Sequence, residues 1–174
     1  MSEDIALADG NQYHDDFHAW ALDQAARLRA AATVQAEELQ GIDFEHIVEE
    51  VEDLGNSERR QVASNLGVAL EHMIKVATLP DTEFVPGWRK EIVAAIRNAR
   101  RAFTPSMVPR LDIDTIWTEA REDALQLLLE DGVGATDVPV TSPLSLEQML
   151  DPETTAMDLI EIFRQGMPPG RCET

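Results

Sequence analysis

Apolar positions recur every three or four residues along most of this chain, which is the period of an amphipathic α-helix. The longest such pattern lies within residues 44–76. With about 100° assigned to each residue, a single apolar stripe runs along it. The stripe is formed by Phe44, Ile47, Val51, Leu54, Val62, Ala69, Met73 and Val76. Because its phase is the same on both sides of Gly55, the pattern predicts one long helix that begins after Asp43 and ends before Pro80.

The same period predicts three further long helices, over residues 12–39, over residues 86–103 and from Asp112 or Asp114 to Gly132. No alternating run of β-branched residues indicates a strand. We therefore predict an all-α fold, an antiparallel four-helix bundle with one or two short C-terminal helices. Its predicted core comprises Trp20, Phe44, Val51, Leu54, Val62, Leu66, Met73, Ile92, Ile96, Trp117 and Leu128.

Two short helices are predicted near the C-terminus. Ser142-Pro143 and Asp151-Pro152 each place a capping residue before a proline, a favoured start for a helix. We expect a bundle domain over residues 12–150, followed by a C-terminal helix and irregular tail over 151–174. Met157, Ile160, Ile162 and Phe163 crowd that last helix. Because so short a helix is marginal alone in water, it must dock on its own bundle or on a second copy of the chain.

Acidic residues dominate the composition, and the formal net charge is −19 over 174 residues. So negative a chain disfavours nucleic acid and anionic membranes as partners and suits a basic protein partner. No apolar run has transmembrane length and the first residues do not resemble a secretory signal, so we expect a cytoplasmic protein. The single cysteine, Cys172, excludes an intrachain disulfide and a cysteine-based metal site.

Polar residues interrupt the apolar stripe of the longest helix. Glu58 and Asn65 lie inside the stripe and His72 lies on its edge. Along a straight helix, Glu58 and His72 are about 21 Å apart, so they cannot share one metal ion. Buried polar groups need partners, and we expect Glu58 to pair with an arginine of the third long helix, with His72 hydrogen-bonded in the packing.

A dense group of acids precedes Gly55 on the same helix. Glu49 and Asp53 stand four residues apart on its outer face, where they are either solvated or able to bridge a divalent cation. A structural helix does not need so many neighbouring acids, so they point to a partner. The candidate functional residues are therefore Glu49, Glu50, Asp53, Glu58, Asn65 and His72.

Histidines provide an alternative chemistry. His14 and His18 lie four residues apart, which is a suitable spacing for a transition metal, and His46 or His72 would complete a three-histidine site. The histidines are few and scattered, so we expect no tightly bound metal and no cofactor. The alternative of a metal site using His14, His18 and His46 stays open.

Several motifs together resemble a known bacterial family. They are the segments YHDDFHAWALDQAARLR, IVEEVEDLGNSERR and SNLGVALEHMIK. They are similar to the bacterial domain-of-unknown-function family 29, of which the chain looks like a divergent member because its last helix extends beyond the usual end. The matching positions are Tyr13, Asp16, Phe17, Trp20, Glu49, Glu50, Glu52, Leu54, Gly55, Ser57, Glu58, Ser64, Leu66, His72 and Lys75. The resemblance implies an α-helical bundle and no established activity.

The chain has no glycine-rich phosphate loop and no nucleophile motif. Together with its acidity, this favours a non-catalytic acidic helical-bundle interaction module. Its expected partners are a second copy of the chain, as in a homodimer, or a basic protein. The alternative is a metal-binding helical bundle that acts as a metal-dependent enzyme.

Overall fold

A computed structural model describes residues 12–34, 41–130 and 138–168 of the chain. This part is helical and contains no strand, which confirms the predicted all-α class. The helices are α1 (Gln12–Asp15), α2 (Phe17–Val34), α3 (Phe44–Thr78), α4 (Val85–Ala102), α5 (Ile113–Glu130), α6 (Leu146–Leu150) and α7 (Ala156–Gly166), with a 3₁₀ helix at Pro105–Arg110 between α4 and α5. The predicted ends near residues 39 and 132 lie outside the described residues.

Aspartates begin three of the long helices, each by accepting hydrogen bonds from the first turn. Asp43 accepts from the backbone N–H of His46 at 3.2 Å, so it caps α3 as predicted. Of the two candidates at α5, Asp112 is the cap, with the N–H of Asp114 at 3.1 Å. Asp16 likewise caps α2.

The two short C-terminal helices begin three or four residues later than predicted. Ser145 caps α6 and Thr155 caps α7, each in a reciprocal capping box with Gln148 or Asp158. A capping box satisfies two orphan donors, which outweighs the advantage of a proline at the first helical position. The predicted starts at residues 142 and 151 are therefore wrong.

Helix α3 runs through Gly55 without interruption, as the constant phase of its apolar stripe predicted. The chain divides into two compact units by its internal contacts. The first unit comprises Met1–Arg60 and Phe103–Arg110, and the second comprises Gln61–Ala102 and Leu111–Thr174. The N-terminal half of α3 thus belongs to the first unit and its C-terminal half to the second.

In the first unit, α2 packs on α3 through small residues. Ala21 and Ala25 are fully buried, and a Cβ placed on Gly55 would lie 3.0 Å from the Cβ of Ala21. The same position would be 3.3 Å from the carbonyl oxygen of His18. A Cβ at this position would force its neighbours to shift by a few tenths of an ångström, so glycine fits this close approach of the two helices best.

At this contact, the face of α3 that is buried differs from the predicted apolar stripe. Leu54, predicted to be in the core, is 56% exposed, whereas Val48 is buried. Of the aromatic residues of α2, Phe17 and Trp20 are only half-buried. Phe44 and Val51 are half-buried as well. The prediction that Leu54 lies in the core is therefore wrong. The other predicted core residues of this unit, Trp20, Phe44 and Val51, are half-buried rather than fully buried.

The second unit contains the larger core. Of the predicted core residues it buries Val62, Leu66, Met73, Ile92, Ile96, Trp117 and Leu128. Helix α7 joins this core, because Leu159, Ile160 and Phe163 are buried and the rings of Phe163 and Trp117 lie 5.9 Å apart. Most of the apolar face of α7 is therefore covered within its own unit, whereas Met157 on the same helix is 49% exposed.

Candidate functional site

The acids that the sequence marks as functional lie on the surface of the first half of α3. Glu49, Glu50 and Asp53 are all exposed. Asp53 faces a cation, since the guanidinium of Arg60 lies 3.6 Å from its carboxylate. The three side chains therefore form an accessible negative ridge, called here the α3 acidic ridge.

Glu58 and Asn65 occupy positions between core and surface. Both side chains are half-buried, and the amide of Asn65 donates to the carbonyl oxygen of Gln61 in the same helix at 2.8 Å. Within the described residues of its own unit, Glu58 makes no ion pair. The arginine expected from the third long helix belongs to the other unit, so that pairing stays a prediction.

His72 lies in the second unit beside an ion pair. Lys75 and Glu71 are paired, with side chains 12% and 20% exposed. Desolvation and the nearby charge of Lys75 lower the pKa of His72, while its Nδ1 is buried without a partner among the described residues. The neutral imidazole is therefore favoured here. Among the described residues, Nδ1 of His72 therefore lacks the hydrogen bond expected for a packing role.

The three histidines of the alternative metal site have different surroundings. His14 is exposed, and His46 is exposed and paired with Asp43. His18 is fully buried, and its Nδ1 donates to the carbonyl oxygen of Gly55 at 2.9 Å. In the part of the chain that the structure describes, no three histidine, cysteine or acidic side chains come together in a group able to hold a metal. The sequence spacing therefore does not produce a shared site.

The contrasting surroundings of His46 and His72 predict an order of titration. The Asp43 carboxylate stabilises the imidazolium of His46 and raises its pKa, whereas desolvation lowers the pKa of His72. In an NMR titration of the ring Cε1–H signals, we expect His46 to titrate above the ordinary value of about 6.5 and His72 below it. Asp43→Asn should lower the pKa of His46 and leave that of His72 unchanged. A pKa of His72 above that of His46 would contradict these assignments.

Asp16 joins the start of α2 to the 3₁₀ helix of the same unit. Its Oδ1 accepts from the N–H of Ala19 at 3.0 Å and from the hydroxyls of Thr104 and Ser106 at 3.0 and 2.7 Å. Burial raises the pKa of Asp16, but these hydrogen bonds outweigh it, and the pKa lies below its usual value. Because its Oδ1 serves these three structural hydrogen bonds, we assign Asp16 no chemical role.

A shallow depression of about 450 Å³ lies in the first unit. It is lined by Leu22, Glu52, Asn56, Arg59 and Arg110. Sequence reasoning missed it, although Glu52, Asn56 and Arg59 follow the spacing of one helix face. The contribution of Arg110 is not visible in the sequence, because it comes from 51 positions further along the chain than Arg59.

None of the described helices combines the length and hydropathy of a membrane-spanning segment.

Comparisons with known proteins identify a fold and a family, but no activity. A family model described as "Domain of unknown function DUF29" matches residues 12–155. A crystal structure of an α-helical protein of unknown function from Rhodospirillum rubrum is 29% identical, with a TM-score of 0.77, covering 86% of this chain and 95% of that one. No curated protein matches the chain.

Proposed function

The chain belongs to the family described as domain of unknown function DUF29, and this description names no activity. From the residues of the chain itself, we propose that it is a non-catalytic interaction module with a basic protein partner. The observation that carries this proposal is the α3 acidic ridge, Glu49, Glu50 and Asp53, on the surface of a chain with a net charge of −19. Its carboxylates keep their solvent exposure and so remain available to cations of a partner.

The ridge favours electrostatic recognition over chemistry. Exposed carboxylates on a rigid helix present charge in a fixed pattern, which accelerates association with a basic surface and weakens as salt screens it. No nucleophile with an adjacent base is visible in the sequence, and nothing observed favours the metal-binding alternative. That alternative rests on the histidine spacing alone.

Further parts of the proposal concern assembly and location. We propose that the long helices pack as one antiparallel four-helix bundle, that the chain forms a homodimer, and that it works in the cytoplasm. Light scattering at micromolar concentration tests the dimer. Leu159, Ile160 and Phe163 are already buried in the second unit, so from the apolar face of α7 the exposed Met157 remains available to a dimer interface.

The partner proposal is tested by neutralising the ridge. The full-length triple variant Glu49→Gln, Glu50→Gln, Asp53→Asn removes three negative charges, so we expect a basic protein that co-purifies with the wild type from the native host to be lost. Recovery should be measured by quantitative mass spectrometry at about 50 and 200 mM salt, and wild-type recovery should fall at the higher salt because of screening.

A matched control places the same change elsewhere. Glu119→Gln, Glu122→Gln, Asp123→Asn also removes three exposed charges, from α5. This variant should retain the partner. If both triple variants recover as much partner as the wild type does, the ridge is not the binding surface. If both variants lose the partner equally, the loss is caused by the change in overall charge and not by the ridge.

A further inference from the structure

A row of cations runs along the exposed side of α4, in a chain that is otherwise strongly acidic. Lys90, Val93, Arg97 and Arg101 follow one another at intervals of three or four residues, so they lie on one face of the helix. All four are exposed, Val93 by 44%. The single acid of α4, Glu91, lies about 100° further round the helix from Lys90. These four residues are called here the α4 basic face.

The cations of the α4 basic face have no counter-charge of their own. Among the described residues, Lys90, Arg97 and Arg101 take part in no ion pair. Arg100, which lies between them in sequence, instead donates from its Nε to the carbonyl oxygen of Met149 at 2.9 Å. Although the chain has 33 acidic and 14 basic residues, these three cations are therefore available to an acidic partner.

The first half of α3 carries a face with the opposite charge. Ile47, Glu50 and Leu54 follow one another at intervals of three and four residues, so they too share one side of their helix. All three are exposed, Ile47 by 41% and Leu54 by 56%. Glu50 belongs to the α3 acidic ridge, and Asp53 of the same ridge is its neighbour on the helix surface. The two faces match because each combines exposed charge, of opposite sign, with exposed apolar side chains.

A second copy of the chain is the occupant that these charges favour. Both faces belong to the same chain, so two copies bring them together without a further component. Contact between identical faces is disfavoured, because it would oppose acids with acids or cations with cations. A contact between two different faces closes at two copies when each copy uses both of its faces.

We propose that the homodimer forms by docking of the α4 basic face of one copy on Ile47, Leu54 and the α3 acidic ridge of the other. This inference rests on the homodimer of the proposed function and names its interface. Exposed ion pairs are individually weak, so the charges select which surfaces meet, and burial of Val93 against the apolar residues of α3 adds to the affinity. The basic protein partner and a second copy then compete for the same ridge.

The first test neutralises the α4 basic face in the full-length protein. The triple variant Lys90→Gln, Arg97→Gln, Arg101→Gln removes the charges that meet the ridge. We expect its dissociation constant for the dimer, measured by sedimentation equilibrium at about 50 mM salt, to rise roughly ten-fold or more over that of the wild type. Higher salt should weaken the wild-type dimer in the same direction, because it screens the opposed charges.

A matched control removes three exposed cations that lie outside α4, in the variant Arg27→Gln, Arg110→Gln, Arg164→Gln. It has the same net charge as the α4 variant and should dimerise as the wild type does. If the α4 variant dimerises as tightly as the wild type, the homodimer stands but its interface lies elsewhere, and this inference is wrong. A wild type that stays monomeric up to about 100 μM would contradict the homodimer itself, and this inference with it.

Exchange of the charges gives a second test. The ridge-reversed chain Glu50→Lys, Asp53→Lys and the face-reversed chain Arg97→Glu, Arg101→Glu each oppose like charges when alone. Each should therefore be monomeric where the wild type is dimeric, with circular dichroism as the check on folding. Mixed together, the two chains pair the reversed ridge with the reversed face, and native mass spectrometry should detect a heterodimer. A mixture that does not dimerise, or a reversed chain that dimerises alone, would overturn the proposed interface.

Discussion

Replacing Trp117 with alanine is expected to lower the free energy of unfolding by about 3–5 kcal/mol, the typical cost of truncating a buried aromatic residue. Its side chain is almost completely buried. The ring packs 5.9 Å from that of Phe163, and its Nε1 donates to the carbonyl oxygen of Val140 at 3.0 Å. The substitution therefore leaves a cavity and also removes this hydrogen bond. Urea denaturation followed by circular dichroism measures the loss.

Two further variants serve as controls for the loss of stability in Trp117→Ala. Trp117→Phe retains an aromatic ring but loses the hydrogen bond, so it should cost much less than alanine, about 1 kcal/mol for the bond itself plus a smaller packing term. Trp20→Ala removes a half-buried indole from the first unit and should also cost less. If Trp20→Ala were as destabilising as Trp117→Ala, the burial assigned to the two tryptophans would be wrong.

Gly55 is expected to tolerate no side chain larger than a methyl group without a large loss of stability. A Cβ there would already lie 3.0 Å from the Cβ of Ala21 and 3.3 Å from the carbonyl oxygen of His18. Valine adds two more carbon atoms at this contact and would push α2 away from α3. It would also strain the hydrogen bond between His18 and the Gly55 carbonyl. We expect Gly55→Val to cost roughly 1–3 kcal/mol or more, as overpacking of a core does.

Gly67, in the same helix, is the matched control. Its Cβ would meet only the Cγ2 of Ile116, at 3.9 Å, which is an ordinary contact. Gly67→Ala should therefore gain roughly 0.8–1 kcal/mol from helix propensity, whereas Gly55→Ala should not show this gain. Both are measured by urea denaturation. An equal gain at the two glycines would show that α2 and α3 are not in close contact at Gly55.

For the candidate functional residues, the sequence predicted the helix and the helix face on which each one lies, but not which residues pack against that face. The outer-face acids Glu49 and Asp53 are exposed, as their positions outside the apolar stripe of the helix predict. The histidine spacing was misleading, since i, i+4 geometry brings two side chains to one face without deciding what covers that face. His18 is covered by Gly55, and its ring is used in packing.

The sequence by itself determined the helical class, the uninterrupted course of α3 and most of the core of the second unit, because these follow from local propensity and from the period of large apolar side chains. Tertiary structure alone decided which face of α3 is buried in the first unit. There the contact is made by Gly55, Ala21 and His18, whereas Leu54 is exposed. Glycine carries no side chain from which hydropathy could predict burial. Its fit against a neighbouring helix exists only once the two helices are packed together.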